Sequence, residues 1–248
     1  MTENNSASAT NIKTILIGTP TLDGKLDAWY TNSLVDTIRI GQANNIFVKP
    51  IFLAYESILP MARNEIFRVA QESNVDHLVF IDSDVAWDPV GFFETILDPE
   101  PVVCLPYPLK SDNGGNYNVN FSSNEPSLTN ERGLIRIESA GTGFLKIDKP
   151  VIQSLWDTNV SVEFRGKTLK AICEYTTAHP SFIGEDINLC RKINELGYKI
   201  WVNPKYTCTH IGNRVHVGDF QQYLQALKQA TQNVSTSNKK DVPSLFDI

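Results

Sequence analysis

Nowhere in the chain do apolar residues approach the run of roughly 18 that a membrane-spanning helix needs, so no transmembrane segment is expected. The opening residues, MTENNSASATN, lack the basic head and apolar centre of a secretory signal. Basic charge is also short: 22 Lys+Arg stand against 28 Asp+Glu in 248 residues, a formal charge of -6. A surface built to wrap nucleic acid needs the opposite balance, so nucleic acid is not expected as a partner. Cysteine is sparse and unpatterned. Cys104, Cys173, Cys190 and Cys208 show no CxxC spacing, which argues against a disulfide frame or a zinc knuckle and for buried thiols in a reducing compartment. Glycine occurs, but Gly18, Gly24, Gly114, Gly115, Gly141 and Gly143 build neither GxGxxG nor GxxxxGK[ST]. GxSxG and HExxH are absent too. These absences point to a cytoplasmic protein and carry no signature of oligomeric state.

What is present is an ordinary folded composition, 42% hydrophobic and 20% charged, in a chain long enough to bury about 70 to 75% of its unfolded surface. Lys13 to Thr19 reads as a buried strand that opens into a loop at Thr19, Pro20 and Thr21 and a turn at Asp23-Gly24. A helical stripe follows from Ala28 to Ala43, then a strand from Phe47 to Ala54, then a helix from Pro60 to about Ser73. The run His77 to Ile81 is the most strand-like in the chain and empties into Asp82-Ser83-Asp84. Asp88-Pro89 starts a short helix, and Val102 to Leu105 forms another strand. Residues 110–132 turn rich in Asn, Ser and Gly and read as a long loop, a lid or rim over residues 111–127 or plain disorder. Leu134 to Glu138 and Gly143 to Ile147 read as strands, Lys149 to Trp156 as a helix, Glu185 to Leu196 as a helix ended by Gly197, and Tyr198 to Val202 as a strand. A polar helix from Asp219 to Thr231 comes last. The alternation predicts one α/β domain over residues 12–232 with a mostly parallel central sheet, a disordered start (1–11) and a flexible tail (233–248).

Four groups of residues can carry chemistry. Asp82 and Asp84 stand at the mouth of a buried strand, where α/β sheets bind ligands. Two carboxylates flanking Ser83 either share a cation or simply cap the turn. His210, between small residues and before Gly212, is either a packing residue or an imidazole ligand suited to Mn, Fe or Zn. His216 could take its place; His77 and His179 are weaker choices. Glu185 and Asp186 suit a helix start for local electrostatic reasons, or one of them faces a cleft as a general base. Arg63, beside Asn64, is a phosphate or carboxylate partner or a solvated residue, and Gly141-Thr142-Gly143 marks a close approach of backbone to a packed strand or to a bound sugar.

The ordered set Asp82-Ser83-Asp84, Gly141-Thr142-Gly143-Phe144, Gly184-Glu185-Asp186 and His210 resembles the GT-A class of nucleotide-sugar glycosyltransferases, from about Ile12 to Gly212. It is similar to compact viral and bacterial polysaccharide-building members. The resemblance implies a GT-A-like, Rossmann-related three-layer sandwich and a virus-encoded or bacterial enzyme. It implies a nucleoside diphosphate sugar as donor, UDP-sugar favoured, and a glycan or other hydroxyl as acceptor. It also implies Mn2+ or Mg2+ held by Asp84 and His210, with Asp82 on the ribose or reaching the ion through water. Thr19, Pro20, Thr21 and Asp23 would border base and ribose, Arg63 would lie near the donor, and Gly141, Thr142 and Gly143 would line the sugar and acceptor pocket. Asp186 would be the base of an inverting reaction and Glu185 would position a sugar hydroxyl. Without membrane spans or a QxxRW motif the chain departs from the processive synthases. The class also holds retaining enzymes that use no such base. A non-catalytic sugar-binding module and a nucleotidyltransferase are the competing readings.

Overall fold

The computed structural model describes residues 13–111, 116–122, 128–178 and 181–237. Gly114, Gly115, His179, the expected disordered start and much of the expected lid lie outside the described residues.

The first half alternates strand and helix: β1 (Lys13–Thr21), α1 (Ala28–Ala43), β2 (Ile46–Ala54), α2 (Leu59–Glu72), β3 (His77–Ile81), β4 (Val85–Ala86), α3 (Pro89–Ile96) and β5 (Val102–Cys104). Short strands follow, β6 (Val119–Asn120), β7 (Ile135–Ile137) and β8 (Ser139–Ala140), and then β9 (Phe144–Asp148) and α4 (Lys149–Thr158). The rest comprises β10 (Ser161–Phe164), β11 (Lys167–Lys170), β12 (Thr176–Ala178), β13 (Ser181–Ile183), α5 (Glu185–Glu195), β14 (Ile200–Val202), β15 (Thr209–Ile211), β16 (Val215–His216) and α6 (Phe220–Ser237). No described helix is long and apolar enough to cross a membrane.

The central sheet has 7 strands in the order β2-β1-β3-β9-β5-β14-β7. Strands β2, β1, β3, β5 and β14 run one way; β9 and β7 run the other. The sheet is therefore mostly parallel, as expected. Alternation along each strand builds the layers. Ile15, Ile17, Val79 and Ile81 face Tyr30 and Leu34 of α1 and Phe92 and Ile96 of α3. Leu16, Leu78 and Phe80 face the other way, onto Phe67 of α2, Leu155 of α4 and Leu189 of α5. A sheet buried on both faces between helices is the expected three-layer sandwich. Gly18 lets α2 come this close: a Cβ there would lie 2.3 Å from Ile66 Cγ2.

The crossovers locate the crevice. From β1 the chain passes through α1 to β2 on one side, then through α2 to β3 on the other side of β1. Right-handed crossovers in opposite directions put α1 and α2 on opposite faces, so the loops after the neighbouring strands β1 and β2 leave the carboxyl ends toward different faces, beside the turn after β3.

Several local expectations change. The strand expected to end at Thr19 runs on through Pro20 and Thr21, because the parallel ladder continues with Pro20 opposite Leu53 and Thr21 opposite Ala54. Ser139-Ala140 does not merely separate two strands; as β8 it pairs with β6. The part of the Asn/Ser/Gly-rich segment around β6 is thus built into the body, and Tyr117 is buried edge-on against Phe220 with ring centroids 4.9 Å apart. Helix α6 runs on to Ser237, into the segment expected to be a tail. The cysteines are as expected, all four free and buried; burial pushes the Cys173 and Cys190 thiols up to about 12.

The β10–β11 hairpin, which sequence periodicity did not reveal, turns at Arg165 and Gly166 with φ of 49° and 74°. Ion pairs fasten it to the neighbouring elements. Lys167 Nζ donates to Glu65 Oε1 at 2.6 Å, Arg68 holds the same carboxylate at 2.7 Å, and Arg165 meets Glu56 at 2.8 Å. Hydrogen bonds from Arg68, and then from Lys167, hold the Glu65 carboxyl below its ordinary value despite partial burial. A carboxylate whose pKa is lowered by folding stabilises the fold above its unfolded pKa of about 4.3, and that stability is lost as pH falls through the folded value. Wild type should therefore exceed Glu65→Gln in urea stability by about 1 kcal/mol at neutral pH, and the gap should narrow as pH falls below about 4.3. A gap that does not narrow in acid would show that it does not arise from the carboxylate charge.

Candidate functional site

The turn after β3 is shaped by its backbone. Val85 N donates to Asp82 O at 3.0 Å and Asp82 N to Gly143 O at 3.2 Å. The chain then enters β4, which pairs antiparallel with β15 so that His210 lies opposite Val85, and Ile211 N donates to Asp84 O at 2.8 Å. This small ladder, separate from the main sheet, carries a late residue back to the mouth of β3. As a result His210 Nε2 lies 3.6 Å from Asp84 Oδ1. His210 Nδ1 sits 2.9 Å from the Pro108 carbonyl. A carbonyl only accepts, so Nδ1 carries a proton, and Nε2 is the ring nitrogen turned toward Asp84. His216, the alternative, stands across the β15–β16 ladder from His210. His77 lies at the far end of β3, 2.5 Å from Asp148.

The donor set fits a divalent cation. Two ligands that each bond at about 2.1 Å can reach one ion when they are closer than about 4.2 Å, and an imidazole locked through its other nitrogen is the usual form of a histidine ligand. Among the described residues no group of three or more His, Cys, Asp or Glu is placed to hold a metal ion. Asp84 and His210 would therefore need further oxygen ligands from a substrate or water. The second oxygen of Asp84 is already engaged, by Lys110 Nζ. Burial opposes the charge on Asp84, but the contacts of His210 and Lys110 outweigh it and hold the carboxyl below its ordinary value.

Asp82 takes a different partner from Asp84. Its Oδ1 accepts from Arg63 Nη2 at 3.1 Å, and the other arm of Arg63 donates to Glu185 Oε1. Arg63 and Glu185 are both buried. Desolvation works against the guanidinium, yet Asp82 and Glu185 raise its pKa above the ordinary value. Truncating either partner of such a buried network leaves an uncompensated charge. Glu185 thus clamps Arg63 through Oε1. Asp186, one position on, accepts from Ile187 N at 2.7 Å. A Cβ at residue 184 would lie 2.8 Å from Asp186 Oδ1, so Gly184 gives that carboxylate its room. Arg63, Tyr107 and Cys190 all feel the charge of Asp186.

The close approach expected at Gly141-Thr142-Gly143 is made by a protein side chain. A Cβ on either glycine would lie 2.6 Å from the Tyr107 hydroxyl. Gly143 N donates to that oxygen at 3.1 Å, and the Tyr107 ring meets His210 edge-on at 5.1 Å. Burial raises the Tyr107 phenol well above its ordinary value. Thr142 Oγ1 is buried and has no hydrogen-bond partner among the described residues. At the end of β1, Thr19 Oγ1 lies 2.6 Å from Tyr30 Oη, and Thr21 Oγ1 donates to Lys25 O at 2.8 Å. Asp23 is exposed and paired with Lys25 at 2.9 Å. Asp27 N donates to Ser83 O at 3.0 Å, which ties the loop after β1 to the turn after β3. Tyr107 and Lys110 were missed in the sequence. Both precede or enter a loop-like stretch, and their only sequence signal is proximity to the strand ending at Cys104.

No protein-family model and no curated protein matches the chain. Among solved structures it is similar to A197 from STIV, at TM-score 0.52 and 17% identity over 81% of this chain and 86% of that one. That likeness bears on the fold, which is of the GT-A-like α/β class. Looser likenesses, with no weight for the chemistry, join it to the inositol-1-phosphate CTP transferase from T. maritima (TM-score 0.40, 14% identity, 81% of this chain and 89% of that one). Another is a glycosyltransferase involved in the glycosylation of the major capsid of PBCV-1 (TM-score 0.30, 11% identity, 58% and 66%).

The Tyr107 contacts generate a double-mutant test. Gly141→Ala should cost about 1 to 3 kcal/mol by overpacking, and Tyr107→Phe a similar amount by leaving Gly143 N unpaired. Because removing the hydroxyl removes the clash, the double variant should be more stable than the sum predicts by about 1 kcal/mol. Additive urea-unfolding energies would show that Tyr107 is not what keeps residue 141 a glycine.

Proposed function

We infer that the chain transfers a sugar from a nucleoside diphosphate sugar, UDP-sugar favoured, to a hydroxyl of a glycan acceptor. One observation carries the reading: Asp84 Oδ1 and His210 Nε2 stand 3.6 Å apart at the carboxyl end of β3, the end of an α/β sheet at which ligands bind. A carboxylate with a tautomer-locked imidazole is a donor pair for Mn2+ or Mg2+ whose remaining ligands come from the diphosphate. When bound, the ion supplies stabilisation of the charge that develops on the leaving diphosphate.

The chain's own residues do the rest. Thr19, Pro20, Thr21 and Asp23, at the end of β1, border base and ribose. Asp82, oriented by Arg63, presents its remaining oxygen to the ribose. The unpartnered Thr142 hydroxyl, beside Gly141 and Gly143, is available to a sugar hydroxyl. In the inverting form of the reaction, the acceptor oxygen bonds to the anomeric carbon as the carbon–phosphate oxygen bond breaks, and Asp186 takes the acceptor proton. Glu185 and Arg63 keep the start of α5, and with it Asp186, against the crevice.

Thermal-shift measurements with UDP-, GDP- and dTDP-sugars, with and without Mn2+, test the donor side. A shift with one base that requires the metal is expected, and Asp84→Ala should abolish that dependence. Release of the nucleoside diphosphate in the presence of acceptor should fall about 100-fold in Asp84→Ala and about 100- to 10,000-fold in Asp186→Asn, the latter with donor binding intact. Absence of a shift with every donor would refute the reading; full transfer by Asp186→Asn would refute the assigned base alone.

A further inference from the structure

Lys110 is the unexplained cation of the site. Its Nζ lies on Asp84 Oδ2, while His210 faces the other oxygen of the same carboxylate. The ammonium thus holds a carboxylate that the proposed ion also needs. Its placement is built rather than incidental. The stem of Lys110 crosses Gly212, where a Cβ would lie 3.1 Å from Cδ and 3.4 Å from Cε, so a side chain at 212 would crowd it. The backbone on either side is fixed: Leu109 N donates to Asn116 O at 2.8 Å and Ser111 N to Leu109 O at 2.8 Å. The two residues that flank this cation are anchored as well, His210 by the Pro108 carbonyl two positions before Lys110 and Asp84 by Ile211 N. The lysine side chain is 38% exposed, which leaves the ammonium a path off the carboxylate.

We propose that Lys110 is an internal counter-cation: it neutralises Asp84 until a divalent ion arrives, and then moves to the diphosphate that arrives with the ion. This rests on the reading of Asp84 and His210 as cation ligands. Two cations on one carboxylate repel each other, so the ion binds weakly by itself. A diphosphate gives the displaced ammonium a new anionic partner and removes that penalty. Metal and donor then bind better together than apart, and each must raise the affinity of the other by the same factor. Lys110 is in this account a binding residue for phosphate, at a point charge's range, and does not take part in proton transfer.

The test uses the full chain and the metal alone. Mn2+ is titrated in without nucleotide, and free Mn2+ is followed by electron paramagnetic resonance. Lys110→Met should bind Mn2+ about ten-fold more tightly than wild type, because a like charge has been removed from the site. Lys110→Arg keeps the charge and should stay close to wild type, which separates charge from packing on Gly212. In a second titration UDP is the probe. The factor by which saturating Mn2+ strengthens UDP binding should shrink about ten-fold in Lys110→Met. Equal Mn2+ affinity in Lys110→Met and wild type, or an undiminished Mn2+–UDP coupling, overturns the role of Lys110 and leaves the transferase reading standing. No Mn2+ uptake by either chain overturns both this role and the cation site.

Discussion

The two-residue strand β4 pairs with β15, and the meeting of Asp84 with His210 depends on that ladder. It is short and stands apart from the main sheet, yet it fixes the backbone on both sides of the Asp84–His210 pair: Ile211 N on Asp84 O, and His210 across from Val85. Without it a histidine far along the chain would have no reason to meet the turn after β3. The ladder is in turn held by the rigid layer beneath. Val85 is fully buried beside Ile81 and Phe144 in the core on the α1–α3 face, so β4 cannot drift without opening that core.

Around the ladder the crevice separates its charges into two sets with different exposure. Arg63, Asp82 and Glu185 form an inner set, sunk between α2, the end of β3 and the start of α5. Its cost in desolvation is offset by short ion pairs, and what it provides is fixed orientation rather than net stability. Asp84, His210 and Lys110 form an outer set, more open and built around a single carboxylate. The inner set is locked by a buried guanidinium, whereas the outer set is open enough for its ammonium to leave the carboxylate. Tyr107 joins the two regions, since its hydroxyl receives Gly143 N and its ring rests against His210.

The legibility of the sequence follows the range of the interactions. The alternation in Lys13 to Ile81 reports burial on both faces of a sheet, and the helices over Ala28 to Ala43 and Leu59 to Glu72 show their periods plainly. The β10–β11 hairpin shows no such period, because its strands are mostly exposed or half-exposed and are held by ion pairs to Glu65 and Glu56. Gly18 and Pro20 signal a turn locally and place the end of the first strand at Thr19. The parallel partner β2 overrides that signal by pairing through Ala54. Glycines 141 and 143 announced a close approach, but a glycine records only that something comes near, and the visitor is Tyr107.

The α/β class, the strand that empties into Asp82-Ser83-Asp84, and the carboxylate and imidazole side chains near it are legible along the chain, because they follow from local periodicity and side-chain chemistry. Tertiary structure alone decided which carboxylate faces His210, that Arg63 is locked between Asp82 and Glu185, and that Lys110 occupies Asp84. These are contacts between segments tens of residues apart. Their partners are chosen by how strands and helices stack, and no spacing along a single segment encodes that choice.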